Sequence, residues 1–150
     1  MRVVIQRVKH ASVTVNEVKI GQINQGLLVL AGFEPTDDDE DYNWMINKII
    51  QLRIFNDEND VMNLSVQDIQ GQILVVSQFT LHALTKKGNR PSYIKSSPPN
   101  IAQNQYNKFV ELLNNKYISQ IETGEFGADM KVELLNDGPV TICIDSKNRE

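Results

Sequence analysis

Residues 2–33, RVVIQRVKHASVTVNEVKIGQINQGLLVLAGF, decide the fold class. Within them RVVIQRV and ASVTV alternate apolar and polar side chains, the period of a strand with one face on a core. Asn16-Glu17-Val18 has turn composition, KIGQI continues as a short strand, Asn24-Gln25-Gly26 repeats the turn chemistry, and LLVLAGF is an apolar run suited to a buried strand. Turns this short join antiparallel neighbours, so the pattern predicts an antiparallel meander.

Further along, the period changes. Thr36 with Asp39 makes a capping-box pattern, and Tyr42, Met45, Ile46, Ile49 and Ile50 recur at helical spacing up to about Leu52. RIFNDENDVMNLSV and QDIQG supply turn residues around short strands before ILVVSQFTL, residues 73–81, whose β-branched and aromatic side chains suit a buried strand. Pro98 and Pro99 precede a second helix with Ala102, Tyr106, Phe109, Leu113 and Tyr117 on one face. ADMKVELL and PVTICID alternate as strands about Asn136-Asp137-Gly138. With no repeat, linker or low-complexity tract, residues 1–150 read as one α+β domain: a mainly antiparallel, barrel-like sheet with two main helices.

A chain of 150 residues can bury a core without disulfides, and the single cysteine cannot make an internal one. Cys143 sits in the alternating run PVTICID, which predicts a buried, inert thiol and gives no sign of an oxidising compartment. No apolar run approaches the roughly 18 residues that cross a bilayer, so the expectation is a cytoplasmic protein. The net charge of −4 argues against a duplex-coating protein, but the charge is unevenly spread. Glu34 and Asp37 to Asp41 hold six of the 19 acidic residues and read as a solvated first helical turn. Residues 82–110 carry Lys86, Lys87, Arg90, Lys95 and Lys108 without one carboxylate, a local surface suited to gripping a few phosphates.

The usual catalytic patterns are missing. His10 and His82 are the obvious general bases, yet neither has an evident acid or nucleophile partner in sequence. GxSxG, a phosphate-binding glycine loop, CxxC and HExxH are absent, so neither a metal nor a cofactor is expected. Ser77, Gln78 and Thr80 interrupt an apolar strand at its end, either as part of a site or only to pair with backbone as the chain leaves the core. GEFGAD reads as a turn beside Phe126 and Met130, plain core residues by type, and NDGP reads as a hairpin turn.

Taken together, these stretches resemble the D-aminoacyl-tRNA deacylases. The resemblance spans essentially the whole chain: MRVVIQRV at the start, MNLSV at 62–66, SQFTL at 77–81, KGNRPSY at 87–93, GEFGADM at 124–130 and NDGPVT at 136–141. SQFTL and NDGPVT match the family's two signature motifs without departure, and their joint presence in this order is highly specific where one alone is not.

The resemblance implies an editing hydrolase that takes D-amino acids off tRNA, acting on aminoacyl-tRNA as a homodimer with cross-subunit sites. It makes Ser77, Gln78, Phe79 and Thr80 the catalytic stretch, with backbone N–H groups near Phe79 and Thr80 holding the ester carbonyl as an oxyanion hole does. Phe126 and Met130 would wall the terminal adenine, while the loop at 86–95, with Asn89 and Arg90, would meet acceptor-end phosphates. Gly138 and Pro139, joined by a cis peptide and steadied by Arg7, would reach into the partner's site and turn their carbonyl oxygens on the substrate α-carbon, rejecting L side chains and passing glycine. The 2′-hydroxyl of the terminal adenosine would position or activate water; a rival makes Thr80 a covalent nucleophile, without an evident neighbouring base. A reading from another class is a non-catalytic RNA-end or protein-binding module on the same fold.

Overall fold

One long hairpin organises the molecule. In the computed structural model, which describes residues 1–150, β1 (Arg2–Val15) reverses at Asn16 and Glu17 and returns as β2 (Val18–Ile23) and β3 (Gly26–Gly32). Both turn residues have positive φ, 48° and 66°, the mirror-image turn that matches the twist of its flanking strands. The meander expected here needs correcting. Val15 faces Val18, Ala11 faces Ile23, Val8 faces Gly26 and Arg2 faces Gly32, so β2 and β3 follow one edge of β1 and Asn24-Gln25-Gly26 does not reverse the chain.

The neighbouring strand, not local turn chemistry, decides that outcome. After β3 come α1 (Asp39–Gln51), the small hairpin of β4 (Phe55–Asn56) and β5 (Met62–Leu64), and β6 (Gln72–Ser77). The Asn24 N–H donates to Gln72 Oε1 at 2.5 Å, and the Gln72 N–H donates to the Gln25 carbonyl at 3.0 Å. A Cβ on Gly26 would fall inside the radius of the Gln72 carbonyl oxygen. Gly26→Ala is therefore expected to cost about 1–3 kcal/mol or more, since backbone cannot step aside as a side-chain tip can. A lower urea midpoint at an unchanged slope checks this.

The sheet continues through parallel pairs, β3 on β6 and β6 on β7 (Ile121–Thr123), after α2 (Pro99–Lys116) has crossed it. On the other edge of β1 lies β8 (Lys131–Asp145), antiparallel over its length. The hairpin read at NDGP is thus a bulge in one strand. Leu135 faces His10 and Thr141 faces Gln6, so six steps along β8 match four along β1, and residues 136–140 take up the difference. Cys143, expected to be buried, is exposed on β8, which pairs with β1 along one edge only.

Both helical stripes face inward. Tyr42, Met45, Ile46, Ile49 and Ile50 of α1 and Ala102, Tyr106, Phe109 and Leu113 of α2 are buried, and Phe33, Tyr42 and Phe109 meet edge to face at 6.0–6.3 Å. The cap of α1 is Asp38, two residues beyond the expected Thr36: its Oδ1 accepts the Glu40 and Asp41 N–H groups at 3.0 and 3.1 Å, and Asp41 accepts the Asp38 N–H at 3.1 Å. A carboxylate serves there because it both caps and complements the dipole. Nor is the acidic run simply solvated, since Asp37 holds the Met1 amine, Asp39 pairs with Lys108, Glu40 with Arg149 and Asp41 with Lys147.

Candidate functional site

β6 ends at Ser77, earlier than the strand expected to reach Leu81. Gln78 still donates its N–H to the Ala31 carbonyl at 2.7 Å, but Phe79–His82 form one 3-10 turn, held by Leu81 N–H to Gln78 O at 3.3 Å and Ala83 N–H to Thr80 O at 3.1 Å. Gln78 Nε2 donates to Thr80 Oγ1 at 2.5 Å, which fixes both side chains across the start of the turn. No side chain caps it, so the Phe79 and Thr80 N–H groups that open it have no partner within the turn.

Beside this turn lies a cavity of about 610 Å³. Ser77, Gln78 and Phe79 form one wall, and Phe126 and Met130 belong to the wall from the β7–β8 connection. Tyr106 braces that wall, its ring 5.9 Å from Phe126 and its hydroxyl donating to Val75 O at 2.9 Å; burial pushes its pKa up, so it stays a neutral donor. Thr80 is joined to the cavity through Gln78 without lining it. Sequence reasoning missed Tyr93, the Ser96 to Pro99 segment and Asp129, which also line the cavity beside the ends of β3 and β6. A proline-led helix start announces a boundary, but only the Ser97 N–H bond to the Phe33 carbonyl, at 2.9 Å, shows which strand end it faces.

Electrostatics separate this hollow from another. A cavity of about 480 Å³ at the start of α1 is lined by Asp37, Asp38, Asp39 and Glu40, which repel phosphate. The loop after the 3-10 turn exposes Lys86, Lys87, Arg90 and Lys95, none in an ion pair; Lys108 belongs to α2 and is taken by Asp39. Asn89 and Arg90 stand on that exposed loop, outside the cavity lining.

Arg7, Gly138 and Pro139 gather elsewhere. Arg7 Nε donates to the Asp137 carbonyl at 2.8 Å and its Nη1 to the Ile54 carbonyl at 2.5 Å, while Asn136 Oδ1 accepts the Val140 N–H at 2.8 Å. Between these clamps the Gly138–Pro139 peptide is cis and both residues are exposed. Within one chain this bulge does not line the cavity. His82 is fully buried with neither ring nitrogen hydrogen-bonded, Nδ1 lying 3.9 Å from Glu34 Oε1, and His10 is exposed on β1. No cluster of three His, Cys, Asp or Glu side chains is placed to hold a metal ion.

The cavity offers hydrogen-bond donors and apolar walls rather than a nucleophile–base pair, and comparison with known proteins gives the class of the chain as that of the aminoacyl-tRNA deacylases, which are hydrolases. D-aminoacyl-tRNA deacylases of Flavobacterium johnsoniae and Bacteroides fragilis are 63% and 59% identical over 150 residues, all of this chain and all of theirs. The family model described as D-Tyr-tRNA(Tyr) deacylase matches residues 4–145, and the chain belongs to that family. Among solved structures, one named c-Myc DNA Unwinding Element Binding Protein superposes with a TM-score of 0.92 at 43% identity, covering 97% of this chain and 98% of the other. A probable eukaryotic D-amino acid tRNA deacylase shares the fold, with a TM-score of 0.79 at 17% identity, covering 95% of this chain and 97% of its own.

Proposed function

We propose that this deacylase proofreads chirality, releasing D-amino acids and glycine from tRNA by excluding L side chains and using the RNA's own 2′-hydroxyl in catalysis. The observation that carries the reading is the uncapped turn at Phe79 and Thr80 beside a cavity lined by no histidine and by one carboxylate, Asp129, which pairs with Lys131 rather than with a hydroxyl. The terminal adenine lies against the wall that holds Phe126 and Met130, the ester carbonyl points at the Phe79 and Thr80 N–H groups, and Ser77 and Gln78 hold the turn in place. Asn89, Arg90 and the neighbouring lysines take the acceptor-end phosphates. The site of action is the cytoplasm, where charged tRNA is used; no helix is long and apolar enough to cross a membrane.

Gly138 and Pro139 complete the cavity of a second copy, held out for that purpose by Arg7 and Asn136. Light scattering is expected to give about twice the 17.0 kDa chain mass, and full activity from a monomer would remove the cross-subunit filter.

A binding module remains the rival, and the name of the 43% identical structure favours it. Release of the amino acid from D-aminoacyl-tRNA separates the two, because a module binds without turnover. A cation patch confined to one loop of a chain with net charge −4 suits a single-stranded end better than a duplex.

A further inference from the structure

The mouth of the cavity is aromatic. Phe79 and Tyr93 meet edge to face, centroids 4.9 Å and planes 75° apart, yet remain 54% and 38% exposed. Leu84 and Ser92 exchange backbone hydrogen bonds of 2.8 and 3.0 Å, closing the intervening loop and setting Tyr93 against Phe79. Neither ring belongs to the buried cores, so folding does not account for the pair. The loop they bracket carries Lys86, Lys87 and Arg90, Lys95 follows, and no carboxylate occurs between residues 82 and 110. Open aromatic surface among unpaired cations is the chemistry that holds unpaired RNA bases.

We propose that Phe79 and Tyr93 form a stacking platform for the unpaired nucleotide immediately 5′ of the terminal adenosine. This rests on the cavity being that adenosine's pocket. With the last base against Phe126 and Met130, the chain leaves through the mouth, where the next base meets the aromatic pair and its phosphate meets the cationic loop. A base inside a duplex has its faces covered and cannot stack there, so the platform selects frayed, single-stranded ends.

Two short substrates test it: D-alanyl-adenosine and the same ester on the trinucleotide CCA. Wild-type protein is expected to prefer the trinucleotide, and Tyr93→Leu, which keeps apolar bulk without a π face, to reduce that preference by about 5- to 150-fold, mainly through KM. Tyr93→Phe is expected to retain it, and a thermal melt establishes that both variants fold. An unchanged preference in Tyr93→Leu, or equal loss on both esters, overturns the platform. If wild-type protein hydrolyses neither ester, the catalytic reading fails by itself; calorimetric binding of uncharged CCA against adenosine then decides the platform, which stands only if Tyr93→Leu removes the trinucleotide's advantage.

Discussion

D-Alanyl-tRNA and glycyl-tRNA are expected to lose their amino acid at similar rates, while L-alanyl-tRNA reacts roughly 10³-fold more slowly or worse. The magnitude follows from how selectivity arises. A pocket that recognised a D side chain through apolar contact would gain only about 1–3 kcal/mol per methylene, too little for strict editing, whereas clashes and stranded polar groups exclude far more strongly. On the proposed reading the Gly138 and Pro139 carbonyls do the excluding, and glycine, with only hydrogens on its α-carbon, gives them nothing to strike. The decisive measurement is deacylation of the three esters on matched tRNA at equal enzyme concentration. Should glycine resist as L-alanine does, the filter reads the D side chain positively and the role given to the bulge is wrong.

A rejecting device must be stiff, because a clash that relaxes rejects nothing. In the proposed filter stiffness would come from Arg7, only 7% exposed, which donates to the carbonyls of Asp137 in the bulge and of Ile54 between α1 and β4. Lysine would keep the charge and lose the fork, so Arg7→Lys is expected to raise leakage on L-alanyl-tRNA more than it lowers turnover of D-alanyl-tRNA.

Local pattern made the helical faces and most strands legible, because one face of each meets the core. Register was not. Asn24-Gln25-Gly26 and NDGP both have turn composition, yet neither reverses the chain: pairing with β1 resumes on the far side of each, Asn24 and Gln25 bond to Gln72, and Arg7 holds the Asp137 carbonyl. The exposure of Cys143 was unreadable for a related reason: alternation tells which side chains share a face but not whether anything covers it. At the site, SQFT marked the position, but the 3-10 turn that frees two N–H groups depends on the Gln78 bond to Ala31, and the Tyr93 contribution depends on a loop closing back by two hydrogen bonds.

A substrate ending in 2′-deoxyadenosine, acylated on its 3′-oxygen, is expected to bind normally and to hydrolyse about 10²- to 10⁴-fold more slowly, the span that a positioned proton-transfer group contributes. The reasoning is by placement. His82 is sealed in the interior, with no route for its ring nitrogens to a water at the ester, and His10 stands on the outside of β1. Thr80 Oγ1 accepts from Gln78 and has no side-chain acceptor for its own proton among its hydrogen bonds, as an activated nucleophile requires. The 2′-hydroxyl adjoins the ester wherever the adenosine sits, so it is in place whenever the substrate is bound. Thr80→Ala should therefore cost no more than about fivefold, the worth of one ordinary hydrogen bond steadying the turn. Single-turnover rates separate chemistry from binding and release. A fast deoxy substrate with an inert Thr80→Ala enzyme would hand the reaction to Thr80, and an acyl-enzyme trapped by acid quench would then be its direct sign.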